Sequence, residues 1–440
     1  MITTVVGRTF LEAYNKKYQV NKSPKEFFEE VYFELFYNHP KYMQWVTNSP
    51  FVQMKTGQKP ENLTANERIE KLDNLSEKAE NSEPDASFAL GFPASELKEY
   101  ASTSGLVSDL QIPTTSDDIY LSWIGSGLGV GVAGGFSILY NDAKITLQTF
   151  EGWKVYRKYL GDDGLDKLRG NQINTWNGQW LKYSLDTDEF REDFDFTELT
   201  NQKIFDVSAT LVEVNTVNWS ALFFSLSQLY PNGELIGYVY GFGQTNKTIG
   251  FIPFYLKSGS RIIDIYRQLF GELNTDKKRF ETLFGMHIKR ACELGSIGLQ
   301  ALRPDILADY MKKDKNISFK KEEDTLNYYA YKTWLIAMLS KNKEEITDYT
   351  LELAETFLAY RNQGSKNDRK TLLETMFSVK TKKSFLQYLT EMIDGFEKEE
   401  DRIKLRDFRN ETHLMTNEEF EYFHILLKFD YAFVEKNNKN

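Results

Sequence analysis

Six glycines fall between residues 125 and 135: Gly125, Gly127, Gly129, Gly131, Gly134 and Gly135, with apolar runs at 118–124 and 136–140 on either side. Glycine loses the most backbone entropy on ordering and brings no side chain to pack. A fold accepts such a tract where backbone must come close to a ligand, a nucleic acid or another segment of the chain. Both flanking runs have the character of strands. One reading is a tight strand turn packed against neighbouring backbone. Another is a backbone-lined groove for a polyanion through Gly129, Gly131 and Gly134. Gly129-Val-Gly131-Val-Ala-Gly134 also fits G-x-G-x-x-G, but a dinucleotide site needs a helix after the motif and an acid about 20 positions on. Residues 136–140 read as a strand instead, and that acid is not evident.

At 440 residues the chain exceeds one ordinary core, and two domains or a large one with a satellite are expected. A hydrophobic content of 41% with 27% charged residues is that of a globular protein. The single cysteine, Cys292, excludes an intrachain disulfide and a cysteine zinc site and fits a reducing cytoplasm. The opening residues show no basic segment before an apolar one, so no signal peptide is expected. No run reaches the roughly 20 apolar residues of a membrane span. The formal charge of −10 argues against non-specific coating of nucleic acid. It is compatible with local basic patches, or with an assembly whose other subunits carry the positive charge.

Ser23-Pro24-Lys25-Glu26 is a capping box opening a helix, with Phe27, Phe28, Val31, Tyr32, Leu35 and Phe36 at helical spacing. Residues 53–83 are charged and predict an exposed helix or insertion. Helical spacing recurs over 142–160, and 203–214 alternates like a strand, followed by a helix over 218–230. The runs 235–242 and 249–256 flank Gly243-Gln244-Thr245-Asn246-Lys247, which predicts a hairpin. A helix runs from Ser258 to about Phe270. Beyond about Phe280 glycine thins and helical patterns follow at 281–294, 303–313, 323–340, 344–361, 368–377, 382–396 and 417–434. The expected fold class is α+β: a mixed α/β recognition domain over 1–279 followed by a helical bundle over 280–440.

Residues 169–183 alternate carboxamides with indoles: Asn171, Gln172, Asn174, Trp176, Asn177, Gln179 and Trp180. Asn and Gln offer a donor and an acceptor to a base edge, and Trp stacks on bases. The segment is therefore either a base-reading loop or a buried polar network with both indoles in the core. Pro84-Asp85 followed by Glu96-Leu97-Lys98 fits a PD…ExK nuclease pattern, in which Asp85 and Glu96 would hold Mg²⁺ and Lys98 would orient water; Pro93-Ala94-Ser95 predicts a helix where that chemistry needs a strand. The histidines His39, His287, His413 and His424 lack metal spacing, and Glu421 with His424 is one Glu-x-x-His step where a di-iron bundle needs two. No cofactor is expected. Basic clusters at Lys312, Lys313 and Lys315, at Arg361, Lys366, Arg369 and Lys370, at Lys380, Lys382 and Lys383, and at Arg402, Lys404, Arg406 and Arg409 are either solvated helix faces or a track for phosphates.

With glycine- and asparagine-rich segments in the α/β half and basic clusters at turns of the helical half, the layout resembles the large subunit of type I CRISPR interference (Cascade-type) complexes. The resemblance covers the whole chain as architecture and loop chemistry. It implies a non-catalytic subunit of a prokaryotic antiviral ribonucleoprotein, cytoplasmic, with guide RNA, target DNA and other protein subunits as partners and no membrane. Gly129, Gly131, Gly134 and the 171–180 segment would read a short motif beside the target. Arg369, Lys370, Lys380, Lys382 and Lys383 would hold DNA on the bundle. Met286 stands where an internal start occurs in some subtypes. The alternatives are a metal-dependent nuclease built on Asp85, Glu96 and Lys98, and a scaffold protein with neither activity.

Overall fold

The computed structural model describes residues 1–45, 49–55, 57–86, 89–92, 113–187, 189–241, 247–271, 277–286, 288–313, 315, 317–340, 349–363 and 366–438. Two compact units share the chain: Met1–Leu256 with Cys292–Ser296, and Lys257–Ala291 with Ile297–Asn440. The fold is α+β.

In the first unit, α1 (Ile2–Tyr18) crosses α3 (Ser116–Gly127), which Thr115 opens with a capping box. The crossing is backbone on backbone. A Cβ on Gly7 would stand 2.0 Å from the Leu121 carbonyl oxygen, and one on Gly125 would stand 1.9 Å from that of Thr3. Beside this contact Thr3 Oγ1 and Ser122 Oγ share a hydrogen bond of 2.8 Å. The entering run expected as a strand is thus helix α3; nine of its residues, Ile119 to Gly127, are buried in one unbroken run, so period-2 and helical readings coincide there. Between α1 and α3 lie the aromatic helical stretch 24–36, whose capping box at Ser23 forms as expected, and α2 (Ala65–Asn81). A short pair, β1 (Asp85–Ala86) and β2 (Leu90–Gly91), precedes α3.

After α3 come β3 (Val130–Val132) and β4 (Phe136–Tyr140), joined by a turn in which Gly134 and Gly135 adopt φ of +91° and +75°. Then α4 (Ala143–Leu160), α5 (Ile173–Ser184), the pair β5 (Phe205–Val207) and β6 (Val212–Val214), and α6 (Trp219–Leu229) intervene. The hairpin β7 (Glu234–Gly241) and β8 (Lys247–Tyr255) forms as expected and completes an antiparallel sheet of order β3-β4-β7-β8. The connection at 242–246 lies outside the described residues. The alternation at 203–214 resolves into two strands rather than one.

Strand β8 is the outer strand among the described residues. Leu256 N–H donates to the Gly233 carbonyl, so the amides two and four residues earlier also face β7. Pro253 therefore occupies an outward-facing position, where its missing N–H interrupts the open edge. One face of this hairpin carries Ile236, Phe251 and Tyr255 at 56%, 65% and 44% exposure.

The second unit begins with α7 (Lys257–Phe270), ahead of the expected boundary at 279/280, because α7 packs on α8 (Glu322–Leu339). Helices α9 (Tyr349–Asn362), α10 (Lys366–Ser378), α11 (Lys382–Ile393), α12 (Glu399–Leu414) and α13 (Asn417–Asn437) follow. They enclose a core that includes Phe357, Leu389, Phe408 and Phe423. In α8 and α13 the buried Lys332 Nζ lies 3.0 Å from Asp430 Oδ1, which also accepts the Tyr328 hydroxyl at 2.7 Å. Where strand-free helices were expected at 281–294 and 303–313, Phe284–Gly285 pairs with Arg303–Pro304 as short antiparallel strands. No helix among the described residues is long and apolar enough to cross a membrane.

Alanine ordinarily stabilises a helix over glycine by about 1 kcal/mol. Gly125→Ala is expected to do the reverse, lowering stability by roughly 1–3 kcal/mol or more through overpacking against the Thr3 carbonyl. A urea-unfolding midpoint at or above wild type would contradict the close crossing.

Candidate nucleic-acid interface

The segment 173–184 is helix α5, not a loop, and its polar groups are used inside the first unit. Ile173, Trp176, Trp180 and Tyr183 fall on one helical face and are buried. Trp176 donates to the Gly152 carbonyl at 2.7 Å and Trp180 to that of Gln148 at 2.8 Å. Asn177, fully buried, donates to the carbonyls of Gly127 and Gly129 at 2.8 and 2.9 Å and accepts the Trp153 indole N–H at 3.2 Å. Gln179 donates to the Asn215 carbonyl, Gln172 accepts from Val214 N–H, and Asn174 donates to Ser137 and Tyr240. The base-reading loop expected here is corrected accordingly. Trp176, Asn177, Gln179 and Trp180 are core, and Gln172 and Asn174 tie α5 to neighbouring strands.

Gly129 and Gly131 are likewise buried, and a Cβ on Gly178 would meet the Gly131 carbonyl oxygen at 2.1 Å. This part of the tract serves close packing of β3 against α5, not an open groove. Gly134 stays exposed in the β3–β4 turn, and Asn171 stays exposed just before α5.

Asn171 lines a surface cleft of about 610 Å³ with Tyr42, Trp45, Lys59, Glu61 and Arg169. The walls are held from behind. Asn171 adopts φ +53°, a left-handed conformation Asn tolerates, and its N–H donates to the Tyr42 carbonyl at 2.7 Å. Gly170 fits because a Cβ there would stand 2.7 Å from that same oxygen. The Arg169 carbonyl accepts the Tyr156 hydroxyl, and its guanidinium pairs with Glu213 at 2.5 Å while staying exposed. Lys41, beneath, donates to the carbonyls of Leu165 and Asp166; burial lowers its pKa. Burial also pushes the Tyr42 hydroxyl up to about 12.

Trp45 is 43% exposed, whereas the other six of the seven tryptophans are buried. Each of those six donates its indole N–H to a carbonyl oxygen of the protein. Leaving a large apolar side chain in water forgoes roughly 1.5–3 kcal/mol. Lys59 is exposed beside it in the same cleft. The cations in its lining are Lys41, Lys59 and Arg169, the last paired with Glu213, and Glu61 is the carboxylate among them. Trp45 and Lys59 were not singled out by sequence reasoning; a lone tryptophan between two prolines carries no mark of exposure.

On the bundle, Arg369 donates to the carbonyls of Tyr360 and Gly395 and lies 4.7 Å over the Tyr360 ring. Lys382 caps the end of α12 through the carbonyls of His413 and Met415. Both are corrected from phosphate ligands to structural ties. Lys370, near Glu374 at 3.7 Å, and Lys380 and Lys383 are exposed. Of the nuclease constellation, Asp85 sits in β1 opposite Gly91, and Glu96 and Lys98 lie outside the described residues, as does His287. His424 is packed between the rings of Phe385 and Phe420. No group of three or more potential metal ligands occurs among the described residues.

Asn177→Leu leaves the Trp153 N–H and the two glycine carbonyls without their partner. It is expected to lower stability by roughly 2–4 kcal/mol, read as a drop in the urea midpoint. A neutral effect would contradict the network. Burial holds His424 at about 3, below its ordinary 6.5. Between these values the unfolded chain binds a proton that the folded one does not. Stability is therefore lost as pH falls through that window, at up to about 1.4 kcal/mol per unit. His424→Phe is expected to flatten this loss in melting curves from pH 7 to 4; identical slopes in both proteins would contradict it.

No protein-family profile, curated protein or solved structure matches this chain.

Proposed function

We propose that this chain is a non-catalytic, cytoplasmic nucleic-acid-recognition subunit of a prokaryotic RNA-guided antiviral ribonucleoprotein of the CRISPR type. Its partners are guide RNA, target DNA and other protein subunits. The observation that carries the reading is the cleft at Trp45, where exposed cations, an exposed indole and the Asn171 carboxamide line one surface of an acidic chain. Cations hold phosphates, and carboxamides read base edges. With Trp176, Asn177, Gln179 and Trp180 committed to the core and Asn174 bonded to Ser137 and Tyr240, recognition of a target-adjacent motif falls to Asn171 and the open turn at Gly134. Lys370, Lys380 and Lys383 are assigned to phosphates of DNA held on the bundle. The exposed apolar face at Ile236, Phe251 and Tyr255 supports membership in an assembly and is also what a scaffold protein would present.

The tagged chain isolated from its native cells is expected to bring with it a short guide RNA and several subunits. That assembly should bind motif-bearing duplex, with Asn171→Ala weakening the preferred motif roughly 5- to 150-fold over other sequences, as for loss of one base contact. An assembly without RNA would overturn the proposal. So would DNA cleavage by the purified chain with Mg²⁺ that Asp85→Ala abolishes, which would establish the nuclease instead.

A further inference from the structure

The cleft also narrows what the ligand is. We infer that it takes one unpaired nucleotide of a single strand. The base stacks on the Trp45 indole and turns its edge to Asn171 and Glu61, and its phosphate lies against Lys59 and Arg169. This deepens the nucleic-acid reading above and rests on it.

Stacking requires a free base face. Within a duplex both faces of each base are covered by neighbours, so an exposed indole has nothing to receive from intact double helix, whereas single strands are bound through such platforms. The volume of about 610 Å³ falls in the range of about 300–1,000 Å³ typical of small-ligand sites, not of a groove for a helix. Trp45 and Tyr42 stand 5.9 Å apart, centroid to centroid, with planes tilted at 44°, so the exposed indole rests beside a buried ring.

The carboxylate of Glu61 discriminates further. A site for phosphate alone gains nothing from a carboxylate in its lining. A carboxylate accepts from the exocyclic amino group of cytosine, whereas thymine and uracil present a carbonyl oxygen there. Asn171 adds one donor and one acceptor on a backbone fixed by the Tyr42 carbonyl. The Glu213 pair and the Tyr156 hydroxyl fix Arg169 on the same wall. The wall is thus organised before any ligand arrives, which limits the ordering cost of binding.

The test is fluorescence anisotropy of labelled dC12, dT12, rC12 and a 12-base-pair duplex with the purified full chain at low salt. The expected order places dC12 or rC12 at least tenfold tighter than both dT12 and duplex, and the stronger of those two identifies DNA or RNA as the source. Trp45→Ala should weaken the preferred strand roughly 5- to 150-fold, with Trp45→Phe retaining most of the affinity. Lys59→Ala should reduce the slope of log K against log salt by about 0.7. Glu61→Gln should shrink the gap between dC12 and dT12. Equal binding of duplex and single strands, no binding of any strand, or an unchanged affinity in Trp45→Ala would overturn the inference. These outcomes are independent of the RNA-containing assembly above: that assembly can stand while the Trp45 variants fail, and the Trp45 variants can behave as expected while no guide RNA is found.

Discussion

The first unit depends on backbone meeting backbone without side chains between. Gly7 and Gly125 let α1 and α3 touch through their carbonyls, and Gly131 and Gly178 do the same for β3 and α5. At these separations even a methyl group has no room. Dispersion between closely packed backbones and the exclusion of water from their polar groups replace what larger side chains would have supplied. The cost is that each approach exposes carbonyl oxygens at the ends of α3 and β3 that the main chain alone does not satisfy. Asn177 resolves this by donating to both Gly127 and Gly129, and the Trp153 indole completes its third bond. The glycine tract and the carboxamide segment are therefore two halves of one packing arrangement.

That arrangement decides where function can reside. Groups that look suited to reading bases are bound to one another in the core, because a buried amide without partners costs far more than a satisfied one contributes. What remains for a ligand is the fringe: Asn171, one residue before the Gln172 cap of α5, and the indole and cations that the irregular segments at 41–45, 59–61 and 168–171 bring beside it.

Much of the fold was legible. The β7–β8 hairpin, α4, α6, α7 and most bundle helices follow from hydrophobic period and from turn residues, which are local properties. The misread elements share a cause. In α5 the spacing Ile173, Trp176, Asn177, Trp180 is helical, but the density of carboxamides suggested a loop. In α3 nearly every position is apolar or small, so no period separates strand from helix. Helix α12 went unseen because charges interleave along it and only Leu405, Phe408 and Thr412 are buried. Helix α1 likewise has a short buried stripe. The cleft could not be found at all, since Trp45, Lys59 and Arg169 are brought together only by the tertiary fold.

The proline in the outer strand has a consequence for how copies of this chain can meet. Two hairpins approaching rim to rim would find a rung missing at Pro253, which disfavours a continuous ladder between molecules. The flat of the hairpin, with Ile236, Phe251 and Tyr255 in water, is then the more favourable place for a second molecule to rest.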